Sequence, residues 1–236
     1  MKIAVMNYSG SVGKTIISSY LLYPRMAGAK FFAIETINMS AADLGVDEVM
    51  SLTGDNFGQL IEEIVFEDNA IVDIGASNVE RFLSTMTKYE GAIDEFDKYL
   101  IPVTPDDKAW QESIKTALAL SIAGVPKSKI ILLPNRIKST PQEDIASVYE
   151  WAKDSKKASI HKDAAVFESE IYEYLAYHKI SFEELLAEDP ETFKAKAKSC
   201  TDADERAAAA RRYRWMKLAL PVKRNLDRTF EILTAE

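Results

Sequence analysis

The chain opens on a short apolar run, Lys2-Ile3-Ala4-Val5-Met6-Asn7, which meets a turn-prone Ser-Gly-Ser stretch and then a helix-like segment from Lys14 to Met26. That order predicts strand, loop, helix. A second strand is expected over Lys30 to Ile37. Polar turn residues follow, and Phe57, Leu60, Ile61, Ile64 and Val65 then fall at helical spacing. Ala70 to Ile74 reads as a third strand ending in Gly75, and Tyr99 to Val103 and Lys129 to Leu133 as a fourth and fifth. Between the last two, Asp106 to Ala123 reads as a helix, with Asp106 or Asp107 favouring its N-terminal end and Gly124 its C-terminal end. Strands alternating with helices at this spacing imply a parallel sheet, because parallel neighbours require crossover connections. The expected fold is therefore α/β and doubly wound, a mostly parallel sheet with helices on both faces.

Beyond Ser155 the strand signal narrows to Ala164 to Phe167, and the remainder is mostly helical. Thr201 with Asp204, or Asp202 with Glu205, is placed to cap a helix from Arg206 to Leu220, which Pro221 is expected to break or kink. Trp215, Leu218, Val222, Leu226 and Leu233 recur at roughly helical spacing and predict packing onto the main body. The chain thus divides into an α/β domain over residues 1–180 and a helical C-terminal extension over 181–236, packed on the same domain.

Composition narrows the classes. A length of 236 residues suits one domain with a small addition, and 47% hydrophobic with 28% charged residues excludes wholesale disorder. The single cysteine, Cys200, forms no internal disulfide and leaves no Cys-rich cluster. No apolar run approaches the roughly 20 residues that span a bilayer, and a cytoplasmic protein is expected. The net charge of −8 argues against coating nucleic acid with the whole surface. One window departs from it: Arg206 to Arg228 holds eight basic residues and one acid, Asp227, a local +7 against −15 elsewhere. A solvated face salt-bridged to the acidic body is one reading, and contact with a phosphate backbone the other.

The chemistry concentrates in Asn7-Tyr8-Ser9-Gly10-Ser11-Val12-Gly13-Lys14-Thr15, between the first strand and first helix. Small residues let successive backbone N–H groups turn inward on a polyphosphate, and the helix N-terminus adds partial positive charge. The expected nucleotide contacts are Ser9, Gly10, Ser11, Val12, Gly13, Lys14, Thr15 and Ile16. Lys14 would meet the β- and γ-phosphates, and the Thr15 hydroxyl would meet Mg²⁺. The usual Gly-x-x-x-x-Gly-Lys-[ST] pattern wants glycine where Tyr8 stands. Asp73, ending an apolar strand, is the expected second Mg²⁺-side group, the alternative being an aspartate that caps the next turn.

Aligned with the deviant form Lys-Gly-Gly-x-Gly-Lys-[ST], the loop resembles that of the ParA and MinD group of ATPases, keeping Gly10, Gly13, Lys14 and Thr15 but placing Ser9 where that group has its signature lysine. That lysine reaches across a nucleotide-sandwich dimer, so the resemblance leaves a nucleotide-dependent homodimer closed by this contact open. Glu35 to Asn38, Asp73 to Glu80, Ile101 to Pro105 and Pro134 to Arg136 further resemble StbB, the plasmid-stability and conjugation-associated relatives of ParA, over roughly residues 1 to 180. The resemblance implies a Mg·ATP-dependent switch that positions or retains plasmid DNA or supports its transfer, beside a small plasmid-encoded DNA-binding partner. It implies that Asn135 reads the adenine edge, and that Arg206 to Arg228 contact DNA without sequence preference. ParA proteins carry an Asp-x-Asp-Pro sequence after strand two, and here Glu35-Thr36-Ile37-Asn38 puts Ile37 in the second acidic slot. Water positioning then falls to Asn38, Asp43 or a partner residue, and the expected activity is a weak ATPase. An ATP-binding scaffold with little or no hydrolysis, and a small-molecule kinase or ligase on the same scaffold, remain as alternative classes.

Overall fold

Alternation along the first strand divides its side chains between two cores. In Lys2–Met6 (β1), Ala4 and Met6 enter one, and Ile3 and Val5 enter the other. This computed structural model describes residues 1–34, 41–46, 48–53 and 56–235, with the backbone alone at 42 and 43. After β1 come Lys14–Ile16 (α1), Lys30–Ile34 (β2), Val49–Leu52 (β3), Phe57–Ile64 (α2), Ala70–Ile74 (β4) and Val79–Met86 (α3). The middle of the chain forms Lys98–Val103 (β5), Asp107–Ile122 (α4), Ile130–Ile137 (β6), Pro141–Asp144 (α5) and Ala146–Ser155 (α6). Ser159–Ile160 (β7), Val166–Phe167 (β8), Ile171–His178 (α7), Phe182–Leu185 (α8), Pro190–Ser199 (α9) and Ala203–Thr234 (α10) complete it.

The strands lie in the order β3-β2-β4-β1-β5-β6-β7, with β8 also pairing β6, and every ladder is parallel. Both neighbours of β1 come later in the chain. The crevice outside its C-terminal end is therefore a topological switch point, where open α/β sheets place their ligands. One face of the sheet is covered by α2, α3, α4 and α6 through residues such as Phe57, Phe82, Leu120 and Val148. The other is covered by α1 and the C-terminal helices: Ile17 and Leu21 share a core with Leu175, Leu185, Met216 and Leu226.

Three expectations are corrected. The first helix is not a uniform α-helix from Lys14 to Met26: after α1 the backbone widens into a π-helix over Ile17–Leu22 and closes in a 3₁₀ turn, Tyr23–Arg25. The helix after Arg206 does not end at Leu220. It runs from Ala203 to Thr234 through Pro221, which lies on the exposed side of the helix, where a missing backbone donor costs least. Strands β3 and β7 go beyond the expected set, being four residues with one buried and two residues with none. Two caps fall as expected. The Asp106 side chain accepts from the Ala109 N–H, and Asp202 accepts from the N–H groups of Asp204 and Glu205. No helix among the described residues is long and apolar enough to cross a membrane.

Arg25 fastens the two ends of the chain. Its guanidinium donates to the carbonyls of Tyr20 (2.7 Å) and Leu21 (3.1 Å), and its Nη2 lies 2.6 Å from Asp227 Oδ1 on α10. These bonds satisfy carbonyls at the end of the widened helix and fix α10 against it. Replacing Arg25 with alanine is expected to cost about 2 kcal/mol of stability. Urea unfolding measures this directly, and a loss below about 0.5 kcal/mol, the range of ordinary surface substitutions, would contradict it.

Candidate functional site

The loop after β1 is held at its start by a buried carboxamide. Asn7 is fully buried, and its Nδ2 donates to the Pro102 carbonyl on β5 (2.8 Å) and to Ser113 Oγ on α4 (2.7 Å), while its Oδ1 accepts from the Ser9 N–H (2.8 Å). The Tyr8 N–H donates to Thr116 Oγ1 (3.1 Å), whose own hydroxyl donates to the Glu112 carbonyl (2.8 Å). Strand exit and loop entrance are therefore set by β5 and α4, with every named polar group partnered. Sequence reasoning assigns no role to Asn7, Ser113 or Thr116. Their signal is weak but present: polar residues at positions where β1 and the inner face of α4 otherwise carry apolar ones.

At the far end Gly13 takes a left-handed conformation, φ +81°, as N-cap of α1. A Cβ there would stand 2.7 Å from Nδ2 of Asn135, so the position excludes a side chain twice over. Asn135 is buried near the end of β6 and donates to the Val12 carbonyl (2.7 Å). Its amide thus braces the loop. Gly10, exposed at the loop's crest, carries no such steric demand, since a Cβ there would meet open space.

Lys14 is 5% exposed, and its ammonium turns back to the carbonyls of Ser9 (2.9 Å) and Asn7 (3.4 Å). A positive charge thus sits beneath the loop, held by the loop's own backbone. Thr15 is half-buried on α1. Ile16 joins Gly13, Asn135, Arg136, Tyr172 and Glu173 around a cleft of about 340 Å³. On the loop's other flank Ser9, Ser11, Thr104, Pro105 and Arg136 line a second cleft of about 530 Å³.

Asp73 is buried on β4, in register with Val5 of β1 and Ala33 of β2. Ile71 belongs to the core under α1 and Val72 to the opposite one, so alternation puts Asp73 on the face of α1. The exit of β4 is tied to β2, since the Ile34 carbonyl accepts from the Gly75 N–H (2.9 Å) and Asn78 Nδ2 (3.3 Å). Asn38, with Glu35 to Ile37, lies outside the described residues, as does the side chain of Asp43. Tyr8 is half-buried and packs against the core, lining neither cleft. Burial first, then Glu80 and Glu112, hold its phenol above the usual tyrosine range, so it stays protonated.

The basic window on α10 divides in two. Arg214 pairs with Glu170 (3.0 Å) and lies over the Trp215 ring, Arg212 donates to the Glu184 and Leu185 carbonyls, and Lys223 pairs with Asp227 (3.3 Å). Arg206, Arg211, Lys217, Arg224 and Arg228 are exposed and carry no ion pair among the described residues. At about 100° per residue Arg206, Lys217, Arg224 and Arg228 share one side of the helix.

Solved structures match this architecture along almost its whole length. The pnob8 ParA structure covers 98% of this chain and 98% of its own, with a TM-score of 0.53 at 14% identity. The fold is that of the ParA and MinD ATPases. The cell division ATPase MinD of Pyrococcus furiosus covers 92% of this chain and 98% of its own, with a TM-score of 0.52 at 15% identity. A Borrelia burgdorferi B31 protein assigned to plasmid partition and bound to AMPPNP covers 76% and 90%, with a TM-score of 0.50 at 14% identity. No family model and no curated protein matches the sequence. Within the ParA/MinD fold, the loop after β1, Asp73 on β4 and Asn135 on β6 stand toward the C-terminal ends of the run β4-β1-β5-β6, with β5 lying between β1 and β6.

The clash at Gly13 makes a separable prediction. Gly13→Ala is expected to destabilise the protein by about 2 kcal/mol or more, part from the left-handed backbone and part from Asn135. In an Asn135→Ala background the second part disappears. A double-mutant cycle by thermal or urea unfolding should therefore show coupling of about 1 kcal/mol, and strict additivity would contradict the contact.

Proposed function

We propose that the chain binds Mg·ATP at the loop after β1 and uses the bound nucleotide as a switch that positions or retains plasmid DNA, with conjugative transfer as the finer role. The observation that carries this reading is the braced loop itself: a buried Lys14 ammonium under a turn whose two ends are fixed by Asn7 and by Asn135. A triphosphate is the ligand class that suits such an arrangement, because it needs fixed positive charge and backbone donors on a short curved path. Support comes also from the AMPPNP bound to the Borrelia protein of this fold.

In this reading Lys14 neutralises the β- and γ-phosphates, and first-turn N–H groups of α1 meet the remaining phosphate oxygens. Thr15 and Asp73 fit a Mg²⁺ ion: both offer hard oxygen donors, and both lie on the α1 side of the sheet. The ion, when bound, supplies charge neutralisation across the phosphates. The base takes the 340 Å³ cleft, between Ile16 and Asn135 with Tyr172 beyond. Asn38 and Asp43 are the proposed water-positioning residues of a weak ATPase. Residues 1–180 form the nucleotide-binding domain and 181–236 a helical extension whose exposed basic side meets DNA, beside a small plasmid-encoded DNA-binding partner and within a nucleotide-dependent homodimer.

Isothermal titration with Mg·ATP tests the first step. Lys14→Ala is expected to weaken binding about thirtyfold or more, the value of one strong charge-assisted contact, and undiminished affinity would remove this pocket. DNA affinity across salt tests the surface. Neutralising Arg206, Lys217, Arg224 and Arg228 together should flatten the log K against log salt slope by up to about 3.6, and an unchanged slope would exclude that face. Arg212 and Arg214 are poorer probes, being engaged within the fold.

A further inference from the structure

We infer that Arg136 is a second phosphate-binding cation, contacting the polyphosphate of the bound nucleotide beside Lys14. The inference rests on the nucleotide reading above and deepens it by adding a residue whose position, backbone and charge otherwise have no use.

Arg136 lines both clefts that flank the loop, sharing one with Gly13, Ile16 and Asn135 and the other with Ser9 and Ser11. No other residue of the loop's surroundings belongs to both except Glu168, whose carboxylate pairs with Lys138 at 3.6 Å. A ligand running from one cleft along the loop toward the other passes this guanidinium.

The backbone at this point is irregular. Asn135 pairs with Val166 and Ile137 with Phe167, so the ladder between β6 and β8 skips Arg136, which is a bulge residue at φ +55°. Bulges of this kind re-aim a side chain. Here the bulge keeps Asn135 on the Val12 carbonyl and Ile137 in the core while turning Arg136 outward. Left-handed backbone suits glycine or asparagine, and an arginine there is held against its own preference. Nothing in the fold is gained from that side chain, since it is exposed and has no hydrogen bond or ion pair among the described residues.

The charge balance of the site points the same way. Lys14 already gives hydrogen bonds to the carbonyls of Ser9 and Asn7, and Ser9 and Ser11 bring no charge to the loop. A triphosphate carries several negative charges, and acids also line these clefts, Glu173 in one and Asp106 in the other. A planar guanidinium, which grips phosphate oxygens in pairs, offsets that balance better than a point charge would.

The test uses the full chain with Mg·ATP and inorganic triphosphate as probes, in wild type, Arg136→Gly, Arg136→Asn and Arg136→Lys. Glycine and asparagine both accept the left-handed backbone, so the thermal midpoint should stay at or above that of wild type, and asparagine serves if glycine loosens the strand. The expected result is an ATP affinity at least about tenfold weaker in both neutral variants, partly restored in Arg136→Lys, with inorganic triphosphate losing the same factor as a competitor. Unchanged ATP affinity in a folded neutral variant would overturn the inference. So would a loss for ATP with none for triphosphate, which would place Arg136 on the base. Failure of wild type to bind Mg·ATP at all, with Lys14→Ala indistinguishable from it, would instead sink the underlying nucleotide reading.

Discussion

The arrangement depends on one side-chain amide. Asn7 directs its donors to β5 and α4 and its acceptor to the loop, so three elements, two of them about a hundred residues further along the chain, are joined at a point without exposed surface. A buried carboxamide is worth more than a surface one because each broken bond leaves a desolvated partner behind. The same logic holds at the other end of the loop, where the Asn135 amide occupies space that only a glycine at 13 leaves open. Between these two anchors the Lys14 ammonium leans on carbonyls of the loop, and its place follows from theirs.

The rest of the fold transmits that geometry. Asp73 and α1 share a sheet face with the C-terminal helices, and the widened turn after α1 ends on Arg25, which holds Asp227 of α10. A change at the loop therefore has a contiguous path of packed and hydrogen-bonded groups to the helix that carries the exposed basic residues. Tyr172 adds a second link, lining the cleft of about 340 Å³ beside Gly13 and Asn135 while stacking on Tyr20 of the widened helix at 6.1 Å. If the proposed switch runs along this path, nucleotide and DNA must each bias the same two-state element.

Much of the frame was legible because its signals are local. β1, β4, β5 and β6 are runs of apolar residues, and Asp106 and Asp202 cap helices by bonding two or three residues ahead. What escaped is what distance creates. The partners of Asn7 lie 95 and 106 residues away, so no window reveals them. The carbonyls that end the π-helix meet Arg25, which is itself held by α10, Pro221 sits on the exposed side of its helix, and β7 has too few residues to show alternation. The site shows the same division: Gly13, Lys14 and Thr15 announce themselves as a motif, whereas the brace by Asn135 and the bulge at Arg136 exist only once β6 lies beside the loop and β8 beside β6.

Backbone amide exchange at the loop bears most directly on the claim that this turn is a preformed cradle for a triphosphate. With saturating Mg·AMPPNP, the N–H groups of Gly10 through Thr15 should gain protection together while those of β1 and β5 stay as slow as before, because the cradle is already built. Binding that leaves these amides unchanged, or that protects a different surface of the sheet, would contradict it.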